Sequence, residues 1–122
     1  DITNRSTILF FGSCFSQNIG LQLKENKFSV NVNPFGALYN PFSISRAINR
    51  LLDNKMASNE DFVYHNNCYH SFLHHGSFSS PNLNDALTHV NNEFKLATTQ
   101  LKSADFLLIT FGTSYVYRWK LP

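Results

Sequence analysis

The chain has few of the residues and segments that mark specialised protein classes. Only two of its 122 residues are cysteines, Cys14 and Cys68, which is too few for a disulfide framework, and we expect both thiols to be reduced. No run approaches about 18 consecutive apolar residues, which argues against a membrane span, and no basic start followed by an apolar run marks a signal peptide. A net charge of +2 without a basic stripe does not indicate a nucleic-acid partner. These absences favour a cytoplasmic location.

The composition that remains is that of a globular domain. Hydrophobic residues make up 43% of the chain and charged residues 15%, a balance that supports a folded core rather than disorder. A chain of this length can bury such a core without disulfides. We therefore predict a single domain over residues 1–122.

The hydrophobic pattern alternates between strands and helices. Residues 7–11 (TILFF) predict a buried strand that stops at Gly12, and Phe15, Ile19 and Leu23 then recur at helical spacing. The same kind of pattern predicts strands at 28–32, 62–64, 69–73 and 105–111, an extended piece at 116–119, a helix starting at Asn40-Pro41 or Ser43, and a helix capped by Ser80 with Pro81 first.

Such alternation predicts an α/β fold with a mainly parallel sheet and helices on both of its faces. Three distinctive loops each follow a predicted strand: residues 12–14 (GSC), 33–36 (NPFG) and 112–114 (GTS). In parallel sheets, ligands bind at the carboxyl ends of strands. We therefore expect the three loops to meet at one edge and to form the functional site.

The first of these loops contains two candidate nucleophiles, Ser13 and Cys14. At a helix N-terminus, unpaired N–H groups and the dipole favour negative charge, so a thiolate and an oxyanion would both be stabilised there. The structural alternative is that Ser13 caps the helix and Cys14 is a small buried hydrophobe. Local pattern alone favours this alternative, because isolated caps are common.

Four segments of the chain resemble segments of the GSCFA family. They are FFGSCFSQNIG, with Ser16 where the family name has Ala, NVNPFGALYNPFSI, CYHSFLHHGSFS and LLITFGTSYVYRW. Together they cover most of the chain, which makes the resemblance far more specific than one short motif. The resemblance also suggests a bacterial origin.

That family is grouped with the SGNH hydrolases, and the resemblance implies a three-layer α/β/α domain of the flavodoxin-like SGNH type. It places Cys14 at the nucleophile position, Ser13 at the preceding Asp position, and Gly36 as an amide donor of the oxyanion hole. Ser114 falls at the position of the Asn that completes that hole. Its hydroxyl could donate one hydrogen bond in place of the amide.

SGNH enzymes take their catalytic Asp and His from a late Asp-x-x-His block, which this sequence lacks. We therefore expect the N-terminal portion of a domain, with a sheet incomplete at its C-terminal side and an edge that invites self-association. The candidates for a local base are the five histidines, His65, His70, His74, His75 and His89. His70 has the best claim, because it lies in a family-like segment. Its alternative role is structural, and we favour that role, because sequence cannot show whether His70 reaches Cys14.

The predicted function is that of an acyl-ester hydrolase or O-acyltransferase, with a small-molecule or carbohydrate ester as substrate by analogy with the superfamily. The alternative is an inactive ligand-binding module on the same scaffold. We expect no cofactor and no metal site, because the chain has no regular zinc-ligand spacing. Aromatic residues that could line a pocket or pack in the core are Phe35, Tyr39, Tyr115, Tyr117 and Trp119.

Overall fold

The computed structural model of the chain describes residues 1–118 and 120. Its helices and strands alternate along most of the chain. They are β1 (Thr7–Phe11), α1 (Cys14–Glu25), β2 (Ser29–Val32), α2 (Pro41–Leu52), β3 (Phe62–His65), β4 (Cys68–Ser71), α3 (Leu83–Ser103) and β5 (Phe106–Ile109), with 3-10 turns at Asn59–Asp61 and Gly76–Phe78.

The main sheet is parallel, with strand order β2-β1-β5. Ile8 of β1 is in register with Val30 on one side and with Phe106 on the other. The central strand is therefore the first in sequence. Helical connections lead from it to β2 and from β2 to β5, its two neighbours in the sheet. A separate antiparallel hairpin is formed by β3 and β4. The α/β fold with a mainly parallel sheet, as the sequence predicts, is confirmed.

The two faces of β1 belong to different hydrophobic clusters, because successive strand residues point to opposite sides of a sheet. Leu9 and Phe11 pack with buried residues of α2 and α3. Ile8 and Phe10 pack instead with Val30 and with apolar residues of α1 and the outer strands. Every β1 residue from Ile8 to Phe11 is buried. The sheet therefore lies between α1 on one side and α2 with α3 on the other.

The helix starts agree with the sequence in one case and differ in another. Helix α2 begins at Pro41, and the side chain of its cap Asn40 accepts a hydrogen bond from the Ser43 N–H. Helix α3 begins at Leu83 with Asn82 as its cap, so the prediction of a Ser80 cap with Pro81 first was wrong by two residues. The reason is that Ser80 exchanges two backbone hydrogen bonds with Tyr69 of β4.

Two further sequence expectations need correction. Phe15 does not join the buried side of α1, since it is 61% exposed, and Gly20 is buried against Val32 instead. Residues 116–118 form no strand within the described part of the chain, and Trp119 lies outside it. Among the described residues, no helix has the length and apolar character needed to cross a membrane.

Candidate active site at the carboxyl edge of the parallel sheet

The three loops that follow β1, β2 and β5 meet at one edge of the sheet. The Gly12 N–H donates to the side-chain oxygen of Asn33 at 2.9 Å, and the Leu38 N–H donates to the Gly12 oxygen at 2.9 Å. The loop after β5 joins them through the Gly112 N–H, which donates to the backbone oxygen of Tyr39 at 2.7 Å. Backbone groups thus connect all three loops, as expected from a parallel sheet.

The turn between β1 and α1 needs glycine for both conformation and space. Gly12 has a φ of +154°, which L side chains rarely adopt. A Cβ there would collide with the Thr110 hydroxyl and lie 2.7 Å from the Ser16 hydroxyl. Those two hydroxyls are themselves hydrogen-bonded at 2.6 Å. The turn is therefore in close contact with a partly buried link between α1 and the end of β5.

Asn33 holds the same turn from the other side. It is 8% exposed and adopts a left-handed φ of 50°, which Asn tolerates better than most residues. Its side-chain oxygen accepts from the Gly12 N–H, and its side-chain nitrogen donates to the backbone oxygen of Ser13 at 3.5 Å. This residue therefore fixes the backbone immediately before Cys14.

The two candidate nucleophiles differ in exposure and in hydrogen bonding. Ser13 is buried and is the N-cap of α1, where its hydroxyl accepts from the Phe15 N–H at 3.3 Å. Cys14 is the first residue of α1, is exposed, and has a free thiol. The capping role considered for Ser13 is therefore present, whereas Cys14 is not the buried hydrophobe of the structural alternative.

A cleft of about 460 Å³ contains both Cys14 and Gly36 in its walls, together with His75 and His89. Gly36 has a φ of +78°, and a Cβ there would collide with the Cβ of His75. The Gly36 N–H is already engaged, because it donates to the backbone oxygen of Asn33 at 2.8 Å. The structure thus brings Cys14 and Gly36 to one cleft, with the Gly36 amide held inside a turn.

His70 and Ser114 are not among the described residues that line this cleft. Both ring nitrogens of His70 are engaged on the hairpin, with the Ser79 hydroxyl at 2.8 Å and the His65 oxygen at 2.9 Å. Ser114 is exposed in the loop after β5. The contacts of His70 are those of a structural residue.

Two histidines that sequence reasoning did not single out line the cleft instead. His75 caps the 3-10 turn Gly76–Phe78, and its ring Nδ1 accepts from the Ser77 N–H at 3.2 Å. The ring of His89 packs against that of Phe78, with centroids 4.5 Å apart and ring planes tilted by 36°. The sequence feature that could have indicated His75 is its place beside Gly76 in a family-like segment. Spacing along the chain could not show that this segment folds over Gly36.

His74, which precedes His75 in the chain, is buried. It is 9% exposed, its ring stacks on Phe35 at 4.8 Å, and its Nδ1 lies 2.9 Å from the Ser71 hydroxyl. Burial, helped by the positive charge of Arg50 and opposed by Asp61, lowers the pKa of His74 to about 4. The ring is therefore neutral near pH 7.

An aromatic cleft of about 790 Å³ adjoins the Cys14 cleft and shares Tyr39 and His75 with it. Tyr115 and Tyr117 also line this second cleft, so three of the predicted pocket aromatics lie together. Phe35 is 2% exposed and belongs to the core, and Trp119 lies outside the described residues. Within residues 1–118 and 120, no group of three His, Cys, Asp or Glu side chains is placed to hold a metal ion.

Comparison with known proteins identifies a family. The model of the GSCFA family matches residues 7–121, which is nearly the whole chain and includes all three loops of the sheet edge. No curated protein and no solved structure matches the chain. The chain is a member of the GSCFA family.

Proposed function

We propose that the protein acts on acyl esters, as a hydrolase or an O-acyltransferase, with Cys14 as its nucleophile. The observation that carries this proposal is the position of Cys14, an exposed free thiol on the first residue of α1 in a cleft at the carboxyl edge of the sheet. Ser13 is not the nucleophile in this proposal, because its hydroxyl caps the helix. Family membership supports an SGNH-like scaffold for such chemistry.

The reaction starts with attack of the Cys14 sulfur on the acyl carbonyl carbon. A carbon–sulfur bond forms, the thiol gives up its proton, and the carbonyl oxygen becomes an oxyanion. The ester carbon–oxygen bond then breaks, the leaving oxygen takes up that proton to depart as an alcohol, and a thioester remains. Water or a second hydroxyl then takes the acyl group from the sulfur. The Cys14 N–H is one of the unpaired donors in the first turn of α1 and is suited to stabilise the oxyanion.

The adjoining aromatic cleft supports a carbohydrate ester as the substrate. Tyr39, Tyr115 and Tyr117 offer apolar ring faces with polar hydroxyls, a combination that suits the apolar face and the hydroxyls of a sugar ring. Because this cleft shares Tyr39 with the Cys14 cleft, a sugar bound there would place its acyl group near the thiol.

Turnover of p-nitrophenyl acetate tests the reaction. We expect release of p-nitrophenol by the wild-type protein, and loss of at least 100-fold in rate in Cys14→Ala, because no other described thiol lines the cleft. Cys68→Ala is the matched control and should keep the wild-type rate. Unchanged turnover in Cys14→Ala would contradict the proposal.

A second candidate function is a ligand-binding module without turnover. The observation that favours it is the state of two expected oxyanion donors: the Gly36 N–H is engaged by Asn33, and Ser114 lies outside the cleft lining. Such a module would bind an ester or its sugar and release it unchanged. Saturable binding of a sugar ester, measured by calorimetry with no product formed, would favour this function over catalysis.

We also propose that the protein self-associates through the β5 edge. Within the described chain β5 pairs only with β1, and Leu107 and Ile109 are 41% and 39% exposed. An unpaired edge with apolar neighbours is a template for association. Sedimentation should show a concentration-dependent dimer, and a monomer at all concentrations would contradict this proposal.

A further inference from the structure

His75 is built into the Cys14 cleft by its backbone. Its N–H donates to the Phe35 oxygen at 2.8 Å, which ties it to the loop after β2. Its Cβ lies where a side chain on residue 36 would be, so it contacts Gly36 directly. His75 therefore lines both the Cys14 cleft and the aromatic cleft from a fixed backbone position.

The hydrogen bonds of His75 determine its tautomer. Nδ1 accepts from the Ser77 backbone N–H at 3.2 Å and lies 3.1 Å from the Ser77 hydroxyl. A backbone N–H can only donate, so Nδ1 of the neutral ring carries no hydrogen. The hydrogen of the neutral imidazole is therefore on Nε2, which has no partner among the described residues. His75 offers the cleft a donor rather than an acceptor.

The cleft needs such a donor for the proposed reaction. An oxyanion formed at a thioester-forming cysteine is usually held by two or more aligned donors. The Gly36 N–H already donates to the backbone oxygen of Asn33, and Ser114 lies outside the cleft lining. The Cys14 N–H alone would leave the oxyanion with a single donor from the nearby backbone.

We infer that His75 is a catalytic residue whose Nε2–H donates a hydrogen bond to the acyl carbonyl oxygen of an ester bound at Cys14. This inference rests on the proposed acyl transfer. When the sulfur–carbon bond forms, the electron pair of the carbonyl moves to its oxygen, and the Nε2–H holds the resulting oxyanion without giving up its proton. When the alcohol leaves, the carbonyl re-forms and the hydrogen bond weakens.

The role of an oxyanion donor can be separated from that of a base by using two reagents. Acylation of Cys14 by p-nitrophenyl acetate develops an oxyanion, whereas alkylation by iodoacetamide does not. We expect His75→Ala to lower the acylation rate by about 100- to 1,000-fold and to leave the alkylation rate within twofold of wild type. His75→Gln, which retains an N–H donor, should recover part of the acylation rate. His65→Ala, an exposed change on strand β3 outside the cleft lining, is the matched control and should affect neither rate.

The remaining outcomes of these two assays separate the donor role of His75 from the proposed acyl transfer. If wild type is acylated and His75→Ala is acylated within threefold of it, the inference is overturned and the proposed function stands. If acylation and alkylation fall together in His75→Ala, the ring acts on the thiol and the inference is likewise overturned. If wild type is not acylated at all, the proposed function fails, and the donor role fails with it. Nitrogen-15 NMR of the wild-type protein provides a readout that does not depend on the variants: a hydrogen on Nδ1 would contradict the inference, and a hydrogen on Nε2 supports it.

Discussion

The side-chain oxygen of Asn33 accepts a hydrogen bond from the Gly12 N–H at 2.9 Å, across 21 positions of sequence. This bond joins the end of β2 to the turn that presents Cys14. Because Asn33 also donates to the Ser13 oxygen, one buried amide satisfies two backbone groups of the turn. The position of the thiol therefore depends on a residue of the neighbouring loop.

Replacing Asn33 should destabilise the fold more than its backbone conformation alone explains. Asn33→Ala leaves the buried Gly12 N–H without a partner, which costs about 1–3 kcal/mol, in addition to the cost of a left-handed Ala. Asn66 has a similar φ of 48° but lies exposed in the β3–β4 turn, so Asn66→Ala reports the backbone cost by itself. Chemical denaturation of both variants measures the difference, and equal losses would contradict the role of the side chain.

Gly12→Ala should be among the most destabilising single substitutions in the chain. The added methyl would collide with the Thr110 side chain and would force an unfavourable φ of +154°, and we expect a loss of about 3 kcal/mol or more. Gly76→Ala is the control, because a Cβ at Gly76 meets no atom within 4 Å. A melting temperature for Gly12→Ala close to that of Gly76→Ala would show that the turn is looser than described.

Ser16 and Thr110 should be energetically coupled. Ser16 is fully buried, and its hydroxyl bonds to that of Thr110 at 2.6 Å. Ser16→Ala and Thr110→Val should each cost about 1–3 kcal/mol, because each leaves a polar partner unsatisfied. The double variant should cost less than the sum, with a coupling of about 1 kcal/mol. Additive losses in urea denaturation would mean that the two hydroxyls act independently.

Periodicity was sufficient to predict the main elements because burial dictates the residues of a central strand. The run of apolar residues in β1 reflects burial on both faces, and the Asn40-Pro41 pair begins α2 as expected. The start of α3 was missed because Ser80 pairs with Tyr69, a tertiary contact that local capping preferences cannot include. Phe15 was misplaced because helical spacing predicts a common side of α1 without showing how far the sheet covers it.

The candidate site was predicted in part. The edge where three loops meet follows from strand alternation, and Cys14 and Gly36 share a cleft there. His70 was chosen over His75 on resemblance, and only the fold shows that His70 is hydrogen-bonded within the hairpin. Which histidine faces a cleft depends on how the segment between β4 and α3 crosses the edge of the sheet, and no local pattern encodes that path.

Protein stability should fall as the pH drops from about 6.5 to about 4, because of His74. Its pKa is about 4 in the folded protein and 6.5 in the unfolded chain, so the unfolded chain binds the extra proton in this range and the folded state loses up to about 3 kcal/mol. Above about pH 6.5 the His74 ring is neutral in both the folded and the unfolded state, so this loss of stability is absent. His74→Phe, which preserves the aromatic packing on Phe35, should flatten this part of the pH profile.

The exposed His65 provides the control for that experiment, and His65→Gln should keep the wild-type slope. The carboxyl of Asp105 acts at more acid pH, because hydrogen bonds from the Thr7 backbone and hydroxyl lower its pKa below 3.8. The free energy of unfolding in urea, measured at several pH values, separates the two ranges. A slope between pH 4 and 6.5 that persists in His74→Phe would show that another group titrates there.

The most direct test of the central claim is to locate the acyl group on the protein. The protein is mixed with p-nitrophenyl acetate for a short time, quenched in acid, digested and analysed by peptide mass spectrometry. An exposed thiol on the first residue of α1 should carry the acetyl group as a thioester, so we predict a hydroxylamine-labile acetyl on the Cys14 peptide and none on the Cys68 peptide. An acetyl group on Ser13, equal modification of both cysteines, or no modification of Cys14 would contradict the account.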